Sequence, residues 1–364
     1  VESAAQQVDV DLSACRSIDA VLRAMHAGEP QDKVSAMLET ALDTRPYQVM
    51  FRHYNRPWRP DHLPRDVFKR MILSLRSPEE YHPGENQRAD QMLTHWTKYY
   101  SDPALYQSRL QQLESADLPR LIGEGVRYAQ TWLPPEWKVP DFYFAVIPNG
   151  GSPAFTIDGS QGYDFFQLSR SATGDIDIDA LVGTVAHESH HSGMKLDRAV
   201  SPGDAMAYRV ITMCIPEGVA NYFISHSPPG RAPAFPDARF HAFIPELTGD
   251  WNAHVAEEED MVKRQAALLD RAVAGTLSED DFNSELRDYW LNGSIGRAYV
   301  LGSEMFAAIY AAYGKDGVFA VLQDPRQLFR SYNQAIDRKS AVLKRCVRMP
   351  EKAVQQSLAI DFHP

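Results

Sequence analysis

Cysteine is scarce in this chain: three in 364 residues, at positions 15, 214 and 346. No two of them stand close enough in sequence to build a cysteine-type zinc cluster. Cys214 falls in an apolar helical pattern and reads as a core thiol. Cys15 and Cys346 can pair only if the two ends of the chain meet, and no spacing rule asks for it. Long apolar runs are missing as well. A run such as "FYFAVI" at 142–147 falls far short of the roughly 20 residues that cross a bilayer, so no membrane span is expected. Basic charge is not in excess: 37 Lys and Arg stand against 48 Asp and Glu, a net charge of −11. That excludes the basic stripe by which nucleic acid or an anionic membrane surface is recognised. No internal repeat or low-complexity tract occurs. The sequence opens on Val1 rather than methionine, which fits a processed product, and an exported, periplasmic or secreted protein is the expectation.

What is there reads as helix, then a small sheet, then helix. Over residues 1–133 one helical segment follows another: "SIDAVLRAMHAG" from a serine cap to Gly28, "PQDKVSAMLETALDT" with Val34, Met37, Leu38 and Leu42 at helical spacing, then "LPRDVFKRMILSLRS", "PALYQSRLQQLESA" and "DLPRLIGEGVRYAQTWL". Residues 134–170 change character. Aromatic and β-branched residues with Gly and Pro between them predict short strands at 141–147, about 154–157 and 163–168. The "YDFFQL" strand at 163–168 is the expected exposed sheet edge. Helical patterning returns at "DIDALVGTVAHESHHSG", with Asp177 or Asp179 as the cap. It continues over 203–226, 246–275, 278–290 and 295–313, with shorter helices after Pro325 and Pro350. The fold class expected is α+β, mostly α-helical.

The chemistry concentrates in His187-Glu188-Ser189-His190-His191, a His-Glu-x-x-His pattern. On a helix, positions i and i+4 lie about 40° apart around the axis and one turn apart along it. His187 and His191 therefore share a face, and neutral imidazole is a good zinc ligand. Glu188 is turned by about 100° from His187, which sets it beside such a metal as a base for metal-bound water. The apolar run "ALVGTVA" ahead of the motif argues for a buried helix rather than a solvated polar one. His190 points away from the other two, toward a supporting or solvated role. A catalytic zinc needs a third protein ligand and an open position. Asp197, six residues past His191, is one candidate. Glu217 in "CIPEGVANYF" is the other: residues 193–203 leave room for a loop, Pro216 would kink or restart the returning helix, and Gly218 would let another backbone approach. The acidic run "EEED" at 257–260 reads as a solvated helix face.

The His-Glu-x-x-His motif, the strands ahead of it and the glutamate on the next long helix resemble the gluzincins, the thermolysin-like zinc metallopeptidases. Within that group the chain is more similar to the uncharacterised zinc-dependent peptidases in which an all-helical N-terminal region precedes the motif. The resemblance covers about 140–226 and is loose elsewhere. It implies a Zn2+ cofactor held by His187, His191 and Glu217, with Glu188 as general base and a peptide or protein as substrate. It also implies a zincin-like catalytic core at 134–230, between a helical region at 1–133 and another at 231–364 that completes the cleft. Thermolysin-like enzymes carry an aspartate four residues after the glutamate ligand; here Asn221 stands there, and its amide oxygen could accept the His187 ring N–H. The Gly-x-Met-Glu-Asn motif of the clan's aminopeptidases is absent, and "NGGSPAF" at 149–155 is no substitute. The donor for the developing oxyanion is expected on "GRAYVLGSEMFAAIYAAYG", with Tyr299 as first choice and Gly302 setting the helix close. Tyr208, Tyr222 and His254 are its rivals, His254 reading as a surface residue. The other functions considered are a zinc-binding protein without peptidase activity and a zinc hydrolase acting on other amides.

Overall fold

The structure is a computed structural model and describes residues 8–56, 59, 62–168, 175–197, 199–225, 227–235, 245–293 and 295–363. Residues 169, 170 and 226, at the ends of segments expected to be regular, lie outside these. Contacts divide the chain into two compact units: the first runs up to Glu124 and takes in Pro140–Glu188, the second is Gly125–Val139 with Ser189 onward. The protein is mostly helical with one four-stranded sheet, as expected.

The first unit starts with β1 (Asp9–Asp11), a strand where only helix was expected, followed by α1 (Ser13–His26), α2 (Gln31–Leu42), α3 (Arg45–Tyr54), α4 (Arg65–Leu73), α5 (Gln87–Ser101), α6 (Pro103–Ser115) and the start of α7 (Leu118–Thr131). Ser17 is not a cap: it lies inside α1, which begins at Ser13. Next come β2 (Tyr143–Ile147), β3 (Ala154–Ile157) and β4 (Ser160–Asp164), and then α8 (Ile178–Gly193). The sheet order is β1-β2-β4-β3, with β2 parallel to β1 and β4, and β3 antiparallel to β4. Three residues are too few for β1 to show an alternating pattern, and only its pairing with β2 makes it a strand.

The edges are β1 and β3, which corrects the expectation for 163–168. β4 stops at Asp164, is hydrogen-bonded on both sides and is buried along its length. A two-residue turn joins β3 to β4, with both Asp158 (φ 46°) and Gly159 (φ 68°) left-handed, the geometry that suits the twist of a hairpin. Helix α3 packs on β2, β3 and β4. Its Tyr47 hydroxyl donates to Pro148 O at 2.9 Å, and its His53 ring stacks on Phe155 at 4.0 Å.

In α8 the Asp177 carboxylate caps the helix by accepting from Ala180 N at 3.0 Å. Leu181, Val182, Val185 and Ala186 are buried, so the apolar run does sink the helix. The division between the units falls within this helix, after Glu188.

The second unit holds β5 (Ala199–Val200), α9 (Ala205–Thr212), α10 (Ile215–Phe223), α11 (Pro245–Ala256), α12 (Glu258–Val273), α13 (Glu279–Glu285) with a π turn at Leu286–Trp290, α14 (Arg297–Gln323), α15 (Leu328–Arg338), α16 (Ser340–Leu343), α17 (Glu351–Leu358) and β6 (Phe362–His363). The single helix expected over 203–226 is broken at Met213–Cys214, and Pro216 sits in the first turn of α10, where a missing N–H costs nothing. α10 and α14 meet at two glycines: a Cβ on Gly218 would lie 2.6 Å from Gly302 Cα. By length and composition α14 could cross a membrane. Here it packs against α10 and α15, and Gly314 breaks it with φ 64°.

The cysteines stay unpaired, as the lack of any spacing rule for a bridge left them, and two further expectations change. Cys15, Cys214 and Cys346 are all free and buried, so the chain ends are not bridged. Within "EEED", Glu258 is fully buried: it pairs with Arg231 at 2.9 Å and accepts from Tyr332 Oη at 3.0 Å and Val347 N at 3.1 Å. His254 is buried rather than on the surface, with Nε2 3.2 Å from Ile295 O. In each case the partners come from chain segments distant in sequence.

Candidate metal centre

Two helices assemble the centre. One turn of α8 separates His187 from His191, and α10 presents Glu217 two residues past its start. One donor atom from each of His187, His191 and Glu217 lies within 4.8 Å of the others, and all three residues are partly buried. His191 Nε2 and Glu217 Oε1 are 3.4 Å apart. Two ligands on a tetrahedral zinc, with bonds of about 2.0–2.1 Å, stand about 3.4 Å apart, so this pair already has the spacing a zinc ion requires. Two imidazoles and one carboxylate form the His2Glu donor set of catalytic rather than structural zinc, because three protein ligands leave a position open.

Glu217 is oriented from its own helix. Asn221, one turn on, donates from Nδ2 to Glu217 O at 2.8 Å and to Glu217 Oε2 at 3.2 Å. Both partners are acceptors, so the amide nitrogen must face them. Asn221 therefore braces the glutamate through its amide nitrogen, a contact that follows from the i, i+4 geometry of α10.

Glu188 sits outside the triad and is buried, with 8% of its surface exposed. Thr156 on β3 donates from Oγ1 to Glu188 Oε2 at 2.7 Å. Arg56 in turn donates from Nη2 to Thr156 O at 2.6 Å. Burial lowers the Arg56 pKa, while Asp158 and Glu188 work to raise it. Nothing in the sequence pointed to Thr156 or Arg56 beyond the expected strand that includes residue 156. The available signal was the alternation of β3: Phe155 and Ile157 are buried while Thr156 is only partly so, which leaves a hydroxyl on the less buried face.

The other sequence candidates separate. Asp197 lines a cavity of about 290 Å³ together with His191, Met194, Leu196, Pro216 and Glu217, but it is not one of the triad. His190 is fully buried with Nε2 3.1 Å from Trp132 O, which assigns it to packing rather than to solvent. Tyr208 gives its hydroxyl to Leu196 O at 2.8 Å, and Tyr222 gives its own to Pro233 O at 3.1 Å. Tyr299 is partly exposed in the first turn of α14, beside Gly296, and does not line the cavity at His191 and Glu217. An open groove of about 810 Å³ runs along β3 and α3, with Arg52, Arg56, Thr156 and Asp158 on its walls.

No curated protein and no solved structure matches the chain. A family profile does match, over residues 38–341, and this span contains the motif helix, Glu217 and the whole of α14. On that match the chain belongs to the family described as "Putative zinc dependent peptidase (DUF5700)".

Proposed function

We propose that this protein is a metallopeptidase of the thermolysin-like, gluzincin type, in which His187, His191 and Glu217 hold the zinc and Glu188 is the general base. Zinc is the cofactor named by the family description, and the donor set fits it. The observation that carries the reading is the 3.4 Å approach of His191 and Glu217, within a triad that comes from two helices. When bound, the metal supplies Lewis acidity: it acidifies a water and polarises the scissile carbonyl. The chain's own residues do the rest. Glu188 accepts the proton of the attacking water and passes it to the departing amine, so one carboxylate acts as base and then as acid. Asn221 keeps the Glu217 carboxylate turned toward the imidazoles. For the oxyanion we keep Tyr299, on the helix that meets α10 through Gly302.

The test is metal analysis of the purified protein together with hydrolysis of a peptide library. The reading expects one zinc per chain, with cleavage lost on chelation and restored by zinc. A chain that binds no zinc at stoichiometry under chelator-free conditions would sink it. Zinc binding without cleavage of any peptide would leave a zinc site but remove the peptidase.

A further inference from the structure

Thr156 belongs to no recognised motif, yet the fold holds it at three points. Its main chain is paired across the hairpin with Gln161, in a register set by the two-residue Asp158–Gly159 turn. Its carbonyl accepts the Arg56 guanidinium at 2.6 Å. On either side of it Phe155 and Ile157 are buried, and Phe155 is stacked on His53. A β-branched side chain is stiff at χ1, so a fixed backbone means a fixed hydroxyl. That hydroxyl points at one atom, Glu188 Oε2, 2.7 Å away. Glutamate has three rotatable bonds, and its long side chain loses rotamer freedom when it is held. A base that must meet a water at one place gains rate from being held, because a displacement of about 1 Å can cost about a hundredfold.

We infer that Thr156, braced by Arg56, is a positioning residue for the general base: it ties one carboxylate oxygen of Glu188 to the edge strand and so fixes the orientation of the carboxylate. This rests on the peptidase reading above. Thr156 makes no bond in the reaction and is not one of the triad, so its effect should appear in the rate of chemistry and not in binding of metal or substrate. Arg56 acts one step further back, through the strand's carbonyl, and its effect should be smaller.

The experiment compares zinc-loaded wild type with Thr156→Val, Thr156→Ser and Arg56→Gln, measuring kcat, KM, zinc affinity and Tm. Valine keeps the branched shape and removes the hydroxyl; serine keeps the hydroxyl. Thr156→Val should lower kcat by about 10- to 100-fold, with KM, zinc affinity and Tm close to wild type. Thr156→Ser should recover most of the loss, and Arg56→Gln should fall between wild type and Thr156→Val. Full kcat in Thr156→Val overturns the proposal. Loss of zinc or of Tm in step with activity also overturns it, since the role would then be structural, as does a serine variant no better than valine. If zinc-loaded wild type cleaves no peptide, the peptidase reading fails first and takes this proposal with it. If wild type cleaves and the valine variant cleaves equally well, only the role of Thr156 fails.

Discussion

The two glutamates of the proposed site are held in opposite ways. Glu217 is oriented by Asn221, one turn along its own helix. Glu188 is held by Thr156, 32 residues earlier, on an edge strand braced by Arg56 from yet another segment. The first arrangement is local and would survive almost any rearrangement that leaves α10 helical. The second exists only while hairpin, α3 and α8 are all in place. The residue proposed to hold the metal is thus secured by short-range geometry, and the residue proposed to move protons is secured by the tertiary fold.

The largest effects should separate the two carboxylates outright. Glu188→Gln should lower turnover by about a thousandfold or more while retaining one zinc per chain, checked by peptide hydrolysis beside metal analysis. Glu217→Ala should lose activity and zinc together. If Glu188→Gln also sheds its zinc, the division of labour between the two residues is wrong. Next comes the contact that sets α10 in place. A side chain on Gly302 would run into the backbone of Cys214 and Gly218, so Gly302→Val should cost about 1–3 kcal/mol or more in denaturant unfolding. It should also weaken zinc binding, because Glu217 rides on the helix that would have to move. Removing the brace alone is gentler: Asn221→Ala should weaken zinc by about 10- to 100-fold, read by competition with a chelator.

The smallest effects are those of pH, and they too divide the molecule. On the sheet side, burial and then Arg59, Arg56 and Arg88 hold the His53 pKa down to about 2. The unfolded chain takes up that proton near pH 6.5 and the folded chain does not, so His53 contributes stability above pH 6.5 that is lost as the pH falls. By pH 5 the loss is about 2 kcal/mol. On the α14 side, burial and then Glu258 push Glu304 up to about 8, with its Oε2 accepting Ala232 N at 2.7 Å. Here the folded chain keeps a proton that the unfolded one releases near pH 4.5. Its contribution is therefore full below pH 4.5 and is lost as the pH rises toward about 8. Hydrogen exchange should show β3 and α3 opening more readily in acid, and the Ala232 loop opening more readily as the pH approaches 8. Glu304→Gln, which imitates the neutral acid, should flatten the second slope and leave the first unchanged. Equal slopes in both regions would remove the distinction.

Much of the centre was legible because it is encoded at helical spacing. His187 and His191 share a face by arithmetic, and Asp177 caps their helix from three residues away. Pro216 marks the start of α10, and Gly218 marks the close approach that Gly302 completes. The strand at 154–157 was placed correctly, but which strand forms the edge was not, because edge and centre differ only in how many neighbours they pair with. β1 carries no periodicity of its own. The burial of Glu258 and His254 was also out of reach, since an acidic run or a lone histidine looks the same whether or not Arg231, Tyr332 or Ile295 lies beside it.

The sequence by itself determined the parts governed by neighbours three or four residues away: the helices, the pair of histidines on one face, and the glutamate that follows a proline. Only the tertiary structure decided that Glu217 rather than Asp197 joins those histidines, and that a threonine hydroxyl holds Glu188. The physical reason is that hydrogen bonds and ligand spacing act over about 3 Å, and which distant residues come that close is settled only when strands pair and helices pack.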